Sequence, residues 1–120
     1  MNAVFDSCIV IDYLNGIPEA KAELDLYERK SISLITWMEV MSGTDESDWT
    51  DTRDELLRYD CLPITLKVAE RAALLRRDNR LRLPDAIILA TAQAADLLFV
   101  TRNIRDFDST LSHIRIPYTL

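Results

Sequence analysis

Short apolar runs alternate with stretches in which apolar residues recur every three or four positions. Ala3-Val4-Phe5 is apolar without interruption and predicts a strand buried on both faces. Asp6 and Ser7 follow as helix-capping residues, and Ile9, Val10, Tyr13 and Leu14 then recur at helical spacing. Gly16 and Pro18 end that helix and start a second one over residues 18–30, with Ala22, Leu26 and Arg29 along one side. Ile32, Leu34 and Ile35 read as a second strand, whose imperfect alternation fits a buried parallel position. Thr36 opens a short helix from Trp37 to about Ser42, ended by Gly43.

Residues 46–59 are polar with spaced Trp49, Leu56, Leu57 and Tyr59, which predicts a helix or helical pair with a solvated face. Leu62-Pro63-Ile64 reads as a third strand. Residues 66–77 form a helix with Val68, Ala72 and Leu75 inward, and Arg71, Arg76 and Arg77 at its edge and end. Pro84 suits the first position of an unusually apolar helix over 84–95. Leu97-Leu98-Phe99-Val100 is the clearest strand, Thr101 to Phe107 a loop or one helical turn, and Ile114-Arg115-Ile116 an edge strand ended by Pro117. Strands alternate with helices through short connections. The expectation is one domain over 1–120, an α/β fold built as a three-layer α/β/α sandwich with a mostly parallel central sheet.

Composition narrows the function. A hydrophobic share of 48% in 120 residues supports a core and excludes disorder of the whole chain. Acidic residues outnumber basic ones 20 to 14, which argues against holding nucleic acid mainly by a basic surface. It leaves room for an enzyme whose acids bind metal, because the ion inverts the local sign. Cys8 and Cys61 sit beside apolar residues and are expected as buried, reduced thiols; no CxxC or CxxH spacing supports zinc. His113, the one histidine, is expected at the surface or a strand edge. Asp6 and Asp12 interrupt the first apolar stretch, so no signal peptide is expected, and the uncharged run at 86–95 is too short to span a membrane. The expected location is the cytoplasm.

In a parallel sheet, chemistry gathers beyond the carboxyl ends of the strands. Asp6 directly follows the first strand, and Glu39 falls in the first turn of the helix after the second. Asp85 starts the apolar helix, while Asn103 and Asp106 follow the strand at 97–100. Carboxylates gathered this way raise one another's pKa, and a divalent cation relieves the repulsion. Hard oxygen donors suit Mg²⁺ or Mn²⁺. Each acid also has an ordinary structural reading. Asp6 caps a helix, Thr36-Trp37-Met38-Glu39 fits a capping box, Asp85 is a first-turn acid, and Asp106 is a loop acid beside Asp108.

Four blocks make the pattern recognisable: Val4-Phe5-Asp6-Ser7 leading into Ile11-Asp12-Tyr13-Leu14; Ile35-Thr36-Trp37-Met38-Glu39-Val40; Leu83-Pro84-Asp85 through Thr91-Ala92; and Val100-Thr101-Arg102-Asn103-Ile104-Arg105-Asp106-Phe107. With these blocks in this order, the chain resembles a PIN-domain ribonuclease of the VapC toxin type. The resemblance implies an acidic metal triad of Asp6, Glu39 and Asp85, with Asp106 as fourth acid and Thr101 and Asn103 helping to hold water or metal. Asn103 stands where some members carry an aspartate, so a fully acidic second metal site is not implied. The implied activity is Mg²⁺-dependent endoribonuclease cleavage, with Mn²⁺ as substitute, of structured RNA such as tRNA or rRNA. The implied partners are a VapB-like antitoxin and a second copy in a homodimer.

The reaction expected is attack by a metal-activated water, leaving 5′-phosphate and 3′-hydroxyl ends without a histidine base. Arg82, Arg102 and Arg105 are candidate phosphate contacts, Arg102 and Arg105 bracketing Asn103. Tyr13, Leu14 and Leu26, and the group Trp37, Met38 and Met41, are either core or partner-facing. The acids alone equally allow a DNA nuclease or another metal-dependent phosphoryl hydrolase, and an inactive binding module on the same scaffold is a third reading. A phosphoacceptor domain fits poorly, because no lysine follows the strand at 97–100.

Overall fold

The apolar run near the start of the chain becomes the middle of the sheet. In the computed structural model, which describes residues 1–107 and 113–120, β1 (Asn2–Phe5) lies between β2 (Arg29–Ser33) and β4 (Leu98–Val100). β3 (Asp60–Leu62) and β5 (Ile114–Arg115) complete the order β3-β2-β1-β4-β5, and every pairing is parallel. Asp108, the neighbour of Asp106, lies outside the described residues.

The helices are α1 (Ser7–Leu14), α2 (Pro18–Leu24), α3 (Leu34–Ser42), α4 (Trp49–Leu56), α5 (Leu66–Asn79) and α6 (Leu83–Ala94), with a 3₁₀ turn at Glu46–Asp48 before α4. Side-chain alternation divides the strands between two cores. Ala3, Phe5 and Val100 pack with Ile9, Val10, Leu24, Met41 and Leu56 from the first four helices. Val4 and Phe99 point the other way, into Val68 and Ala72 of α5 and Ala86, Ile88 and Leu89 of α6. The result is the three-layer α/β/α sandwich the pattern predicts, with a sheet that is parallel throughout.

Four boundaries differ from the sequence reading. The helix expected over 18–30 stops at Leu24, and the polar segment from Arg29 is strand. Its polar side chains find partners on the strands to either side: Arg29 donates to Asp60 at 2.8 Å across to β3, and Ser31 donates to the Asn2 side chain of β1 at 3.1 Å. Ser33, not Thr36, caps α3, its hydroxyl accepting from the Ile35 amide at 3.2 Å. Leu34 and Ile35 are therefore helical, and Thr36 is an interior helix residue. The third strand ends at Leu62, before Pro63, which has no N–H to give to a ladder.

Burial also departs from expectation in places. The inward face of α2 is Ala20, Glu23 and Leu24, while Ala22 and Leu26 are exposed. Cys61 is exposed on the short edge strand β3 and Cys8 is half-buried, so neither thiol is the fully buried core residue expected; both are free. Met41 is core, Trp37 packs partly against it, and Met38 is exposed. His113 is exposed and left-handed at φ 66°, its carbonyl accepting from the Phe99 amide at 2.8 Å.

Glu23 is buried because its charge is met. Arg115 of β5 donates to both carboxylate oxygens at 2.7 and 2.8 Å, and the Tyr27 hydroxyl adds a third bond at 2.8 Å. Burial alone would raise the Glu23 carboxyl, but these bonds and the Arg115 charge outweigh it and hold it below the ordinary glutamate value. Arg115→Met should lower unfolding free energy by about 2 kcal/mol at neutral pH, below the roughly 3–5 kcal/mol for breaking a fully buried pair because Arg115 is half-exposed. A depressed carboxylate stabilises above its unfolded pKa and loses that contribution as pH falls through the folded one. The gap between variant and wild type should therefore narrow progressively as pH falls below the ordinary glutamate value. Urea denaturation at pH 7 and pH 3.5 checks both; equal stability at pH 7 would contradict the assignment.

Candidate functional site

Strand order reverses at β1. The chain builds β2 and β3 to one side, then crosses over to place β4 and β5 on the other. The crevice between the carboxyl ends of β1 and β4 is thus the topological switch point, where parallel sheets form binding sites. Asp6 stands at the end of β1 and Thr101 at the end of β4, and the Thr101 hydroxyl donates to Asp6 Oδ2 at 2.7 Å.

Asp6 caps α1, its Oδ1 accepting from the Ser7 amide at 2.8 Å, while the Cys8 thiol lies 3.5 Å from Oδ2. The capping role and a role in the site therefore coincide. Asp6 is only 4% exposed, and burial raises its carboxyl above the ordinary aspartate value. The bonds from Thr101, Ser7 and Cys8 oppose that rise, and the Glu39 charge adds to it. Burial and the Asp6 charge likewise push the Cys8 thiol up to about 11, so it stays protonated at neutral pH.

Glu39 lies in the second turn of α3, too far from the Ser33 cap to close a capping box. This corrects its expected place in the first turn. Its Oε1 instead accepts from the Ser7 hydroxyl at 2.7 Å, and that hydroxyl also lies 3.2 Å from Thr36 Oγ1. Glu39 is otherwise exposed and faces the open side of the site.

Asp85 occupies the first turn of α6 and is buried. Burial is the main cause that pushes its carboxyl up to about 6; Arg82 opposes, while Asp6 and Asp106 reinforce the rise. Arg82 reaches over two acids, with Nε on Asp85 Oδ2 at 3.1 Å and Nη2 3.8 Å from Asp106 Oδ2. Asp106 is held by Asn103 in both directions: the Asn103 amide donates to Oδ2 at 2.8 Å, and the Asp106 N–H donates back to Asn103 Oδ1 at 3.3 Å. The Asn103 N–H in turn donates to Thr101 Oγ1 at 3.0 Å, so the two loop residues and Asp6 form one chain of bonds.

The four strand-end acids thus share one electrostatic neighbourhood. They do not close around one point: among the described residues, no three acid, histidine or cysteine side chains form a ready ligand shell. The donors are nonetheless all hard oxygens, and burial with like charge raises the carboxyls of both Asp6 and Asp85, Arg82 offsetting only part of the rise at Asp85. A divalent cation fits that donor chemistry.

The three arginines singled out from sequence separate here. Arg82 and Arg105 are exposed at a cleft of about 690 Å³ that also takes in Cys8, Asn103 and Asp106. Arg102 lines the same cleft, but its guanidinium is bound to Asp12, with Nη2 on Oδ1 at 3.0 Å and Nε on Oδ2. The sequence reading of Arg102 as a phosphate contact did not provide for that partner. It also assigned no site role to Asp12 or Tyr118, and read Ser7 only as a helix-capping residue. The one signal for Asp12 was an acid inside an apolar helical run, which needs a partner if it is buried. A second cleft of about 680 Å³ opens on the other side of Glu39, where apolar Ile11, Leu14 and Val40 meet Asp48, Asp51 and Glu55.

Comparison with known proteins bears on this site. The model of the PIN domain matches residues 3–110. A chain of a toxin–antitoxin complex from Klebsiella pneumoniae superposes with a TM-score of 0.93 and 42% identity, over 98% of this chain and 99% of that one. The same fold recurs in FitAcB from Neisseria gonorrhoeae (TM-score 0.81, 22% identity, 100% of both chains). It recurs again in VapBC2 from Rickettsia felis bound to a promoter DNA fragment (0.79, 20% identity, 95% and 96%). No curated protein matches the sequence significantly.

The Asp85 carboxyl carries a stability consequence. Its folded value of about 6 lies above the unfolded one near 4, so the folded state holds the proton more tightly. Stability falls as pH rises from about 4 to 6, and the cost of ionisation persists above that range. In EDTA, Asp85→Asn should be more stable than wild type at pH 7.5 by on the order of 2 kcal/mol. The advantage should vanish near pH 4. Thermal unfolding at both pH values checks this; a variant less stable than wild type at pH 7.5 would mean that the Arg82 pair outweighs burial.

Proposed function

The chain belongs to the PIN-domain family, and from that premise we propose that it is a nuclease toxin, a Mg²⁺-dependent endoribonuclease held in check by a partner antitoxin. One observation carries the reading. Asp6 is a buried carboxylate at the switch point of a parallel sheet, bonded by Thr101 across the crevice and in electrostatic contact with Glu39 and Asp85. Structure-only purposes do not require an acid there to share its surroundings with three others.

Asp6, Glu39, Asp85 and Asp106 would hold the ion, and Mg²⁺ or Mn²⁺ bound there supplies Lewis acidity and an activated water for phosphodiester hydrolysis. The protein's own residues do the positioning. Thr101 and Ser7 fix Asp6 from two sides, and Ser7 also fixes Glu39, so two acids from different elements share one orienting residue. Asn103 fixes Asp106 at both its side chain and its backbone. Arg82 and Arg105 meet the RNA phosphates at the cleft, Arg82 exchanging its carboxylate contacts for the incoming phosphate. Structured RNA such as tRNA or rRNA is the proposed substrate, the class that the family resemblance implies.

The antitoxin assignment draws on the Klebsiella pneumoniae relative, which is a toxin–antitoxin complex. The acidic and apolar cleft beside Glu39 suits a partner segment that carries both basic and apolar residues. A homodimer and a cytoplasmic location belong to the same reading; no described helix is long and apolar enough to cross a membrane.

The test is cleavage of total cellular RNA by antitoxin-free protein in Mg²⁺, Mn²⁺ or excess EDTA, with single- and double-stranded DNA alongside. Discrete metal-dependent RNA fragments bearing 5′-phosphate ends are expected. Asp6→Asn and Asp85→Asn should each reduce cleavage by about a hundredfold or more while remaining folded. DNA cleavage in place of RNA would overturn the substrate, 2′,3′-cyclic phosphate ends would overturn the water mechanism, and full activity in either variant would remove that acid from the site.

A further inference from the structure

Asp12 is an acid that the proposed reaction does not use. Its side chain is 7% exposed, inside a turn of α1 that is otherwise apolar toward the core. Both of its oxygens are taken. Arg102 binds them as a two-point fork, and the Tyr118 hydroxyl donates to Oδ2 at 2.9 Å. A fork fixes a guanidinium in both plane and direction, which a single contact does not.

The place of Arg102 in the backbone gives the fork its significance. It lies between Thr101, which donates to Asp6, and Asn103, which bonds Asp106 in both directions. The bonds that orient Asp106 within the loop therefore run through residues flanking Arg102. Asp6 and Asp12 sit on the same helix, one as its cap and one nearer its end. The loop is tied to α1 at two separated points, which fixes its angle as well as its distance.

We propose that Asp12 and Arg102, braced by Tyr118, are a positioning pair that holds the segment from Thr101 to Asp106 against α1 and so sets Thr101 on Asp6 and Asp106 beside Asp85. The catalytic consequence rests on the nuclease reading; the hold on the loop does not. Arg102 then acts through a carboxylate of its own chain rather than on RNA phosphate.

Four purified variants test this: Asp12→Asn, Arg102→Lys, the double substitution and Tyr118→Phe, each first shown to be folded by circular dichroism. Two readouts are taken, RNA cleavage kinetics across salt concentrations and amide hydrogen exchange over residues 101–107. Lysine keeps the charge but not the fork, so a phosphate contact would largely survive Arg102→Lys while a positioning pair would not. Asp12→Asn and Arg102→Lys should each lower kcat about tenfold or more, with KM within about twofold and the salt dependence of wild type. The double variant should be no worse than the worse single one, because the two residues act as a unit. Exchange at Asn103 and Asp106 should accelerate about tenfold or more in both single variants.

Wild-type kcat and exchange in Asp12→Asn would overturn the proposal. So would near-wild-type kcat and exchange in Arg102→Lys, the outcome of a phosphate contact that needs only the charge. If Asp12→Asn does not fold, Arg102→Lys and Tyr118→Phe decide, the latter by a loss of kcat of about twofold with faster loop exchange. A wild-type protein that cleaves no RNA would count against the nuclease reading alone, and the exchange measurement would still decide the hold on the loop.

Discussion

The hydrogen bond from Thr101 to Asp6 joins the two halves of the sheet where their order reverses, and the rest of the site is arranged around it. β1 is central because Ala3, Val4 and Phe5 are apolar toward both layers, and a central parallel strand must deliver its next residue to the carboxyl edge. Asp6 is that residue. β4 delivers Thr101 to the same edge from the other side. The Ser7–Glu39 bond, the Asn103–Asp106 exchange and the Arg82 contacts extend outward from this junction.

Burial of acids divides this molecule into two kinds of carboxylate. Glu23 and Asp12 each receive an arginine fork from far away in sequence and a tyrosine hydroxyl, that of Tyr27 four residues on from Glu23 and that of Tyr118 from the chain's last segment. Those pairs fasten β5, the loop after β4 and the C-terminal segment onto the first two helices. Asp6 and Asp85 are treated differently. Asp6 has only neutral donors, Asp85 has a largely exposed arginine, and both carboxyls are raised by burial and by one another's neighbours. Capping α1 and pairing with Arg82 do not need these two acids to share a crevice, which makes the raised pair the candidate site and the other two the fastenings.

Much of the site was legible because strand ends are legible. Asp6, Asp85, Thr101, Asn103 and Asp106 follow apolar runs or open a helix, and topology alone carries such residues to one edge. Glu39 was found on a wrong helical frame. Ser33 caps α3 three residues before Thr36, and local spacing cannot choose between two good capping residues. The polar start of β2 was hidden because Arg29 and Ser31 find their partners only across the sheet. Asp12 escaped for the same reason, its partner Arg102 lying 90 positions away. Arg102 was consequently read by its charge, when its partner decides what the charge does.

The central claim is that the strand-end carboxylates form a divalent-cation site. Its most direct test is thermal unfolding during titration with Mn²⁺ at pH 7.5, on wild type and Asp6→Asn, with no nucleic acid present. Binding to the folded state alone raises the unfolding temperature in a saturable way, by several degrees for a chain of this length once the ion is about a hundredfold above its dissociation constant. The account predicts that rise in wild type and its loss in Asp6→Asn. No rise in wild type, or an equal rise in both proteins, would contradict it.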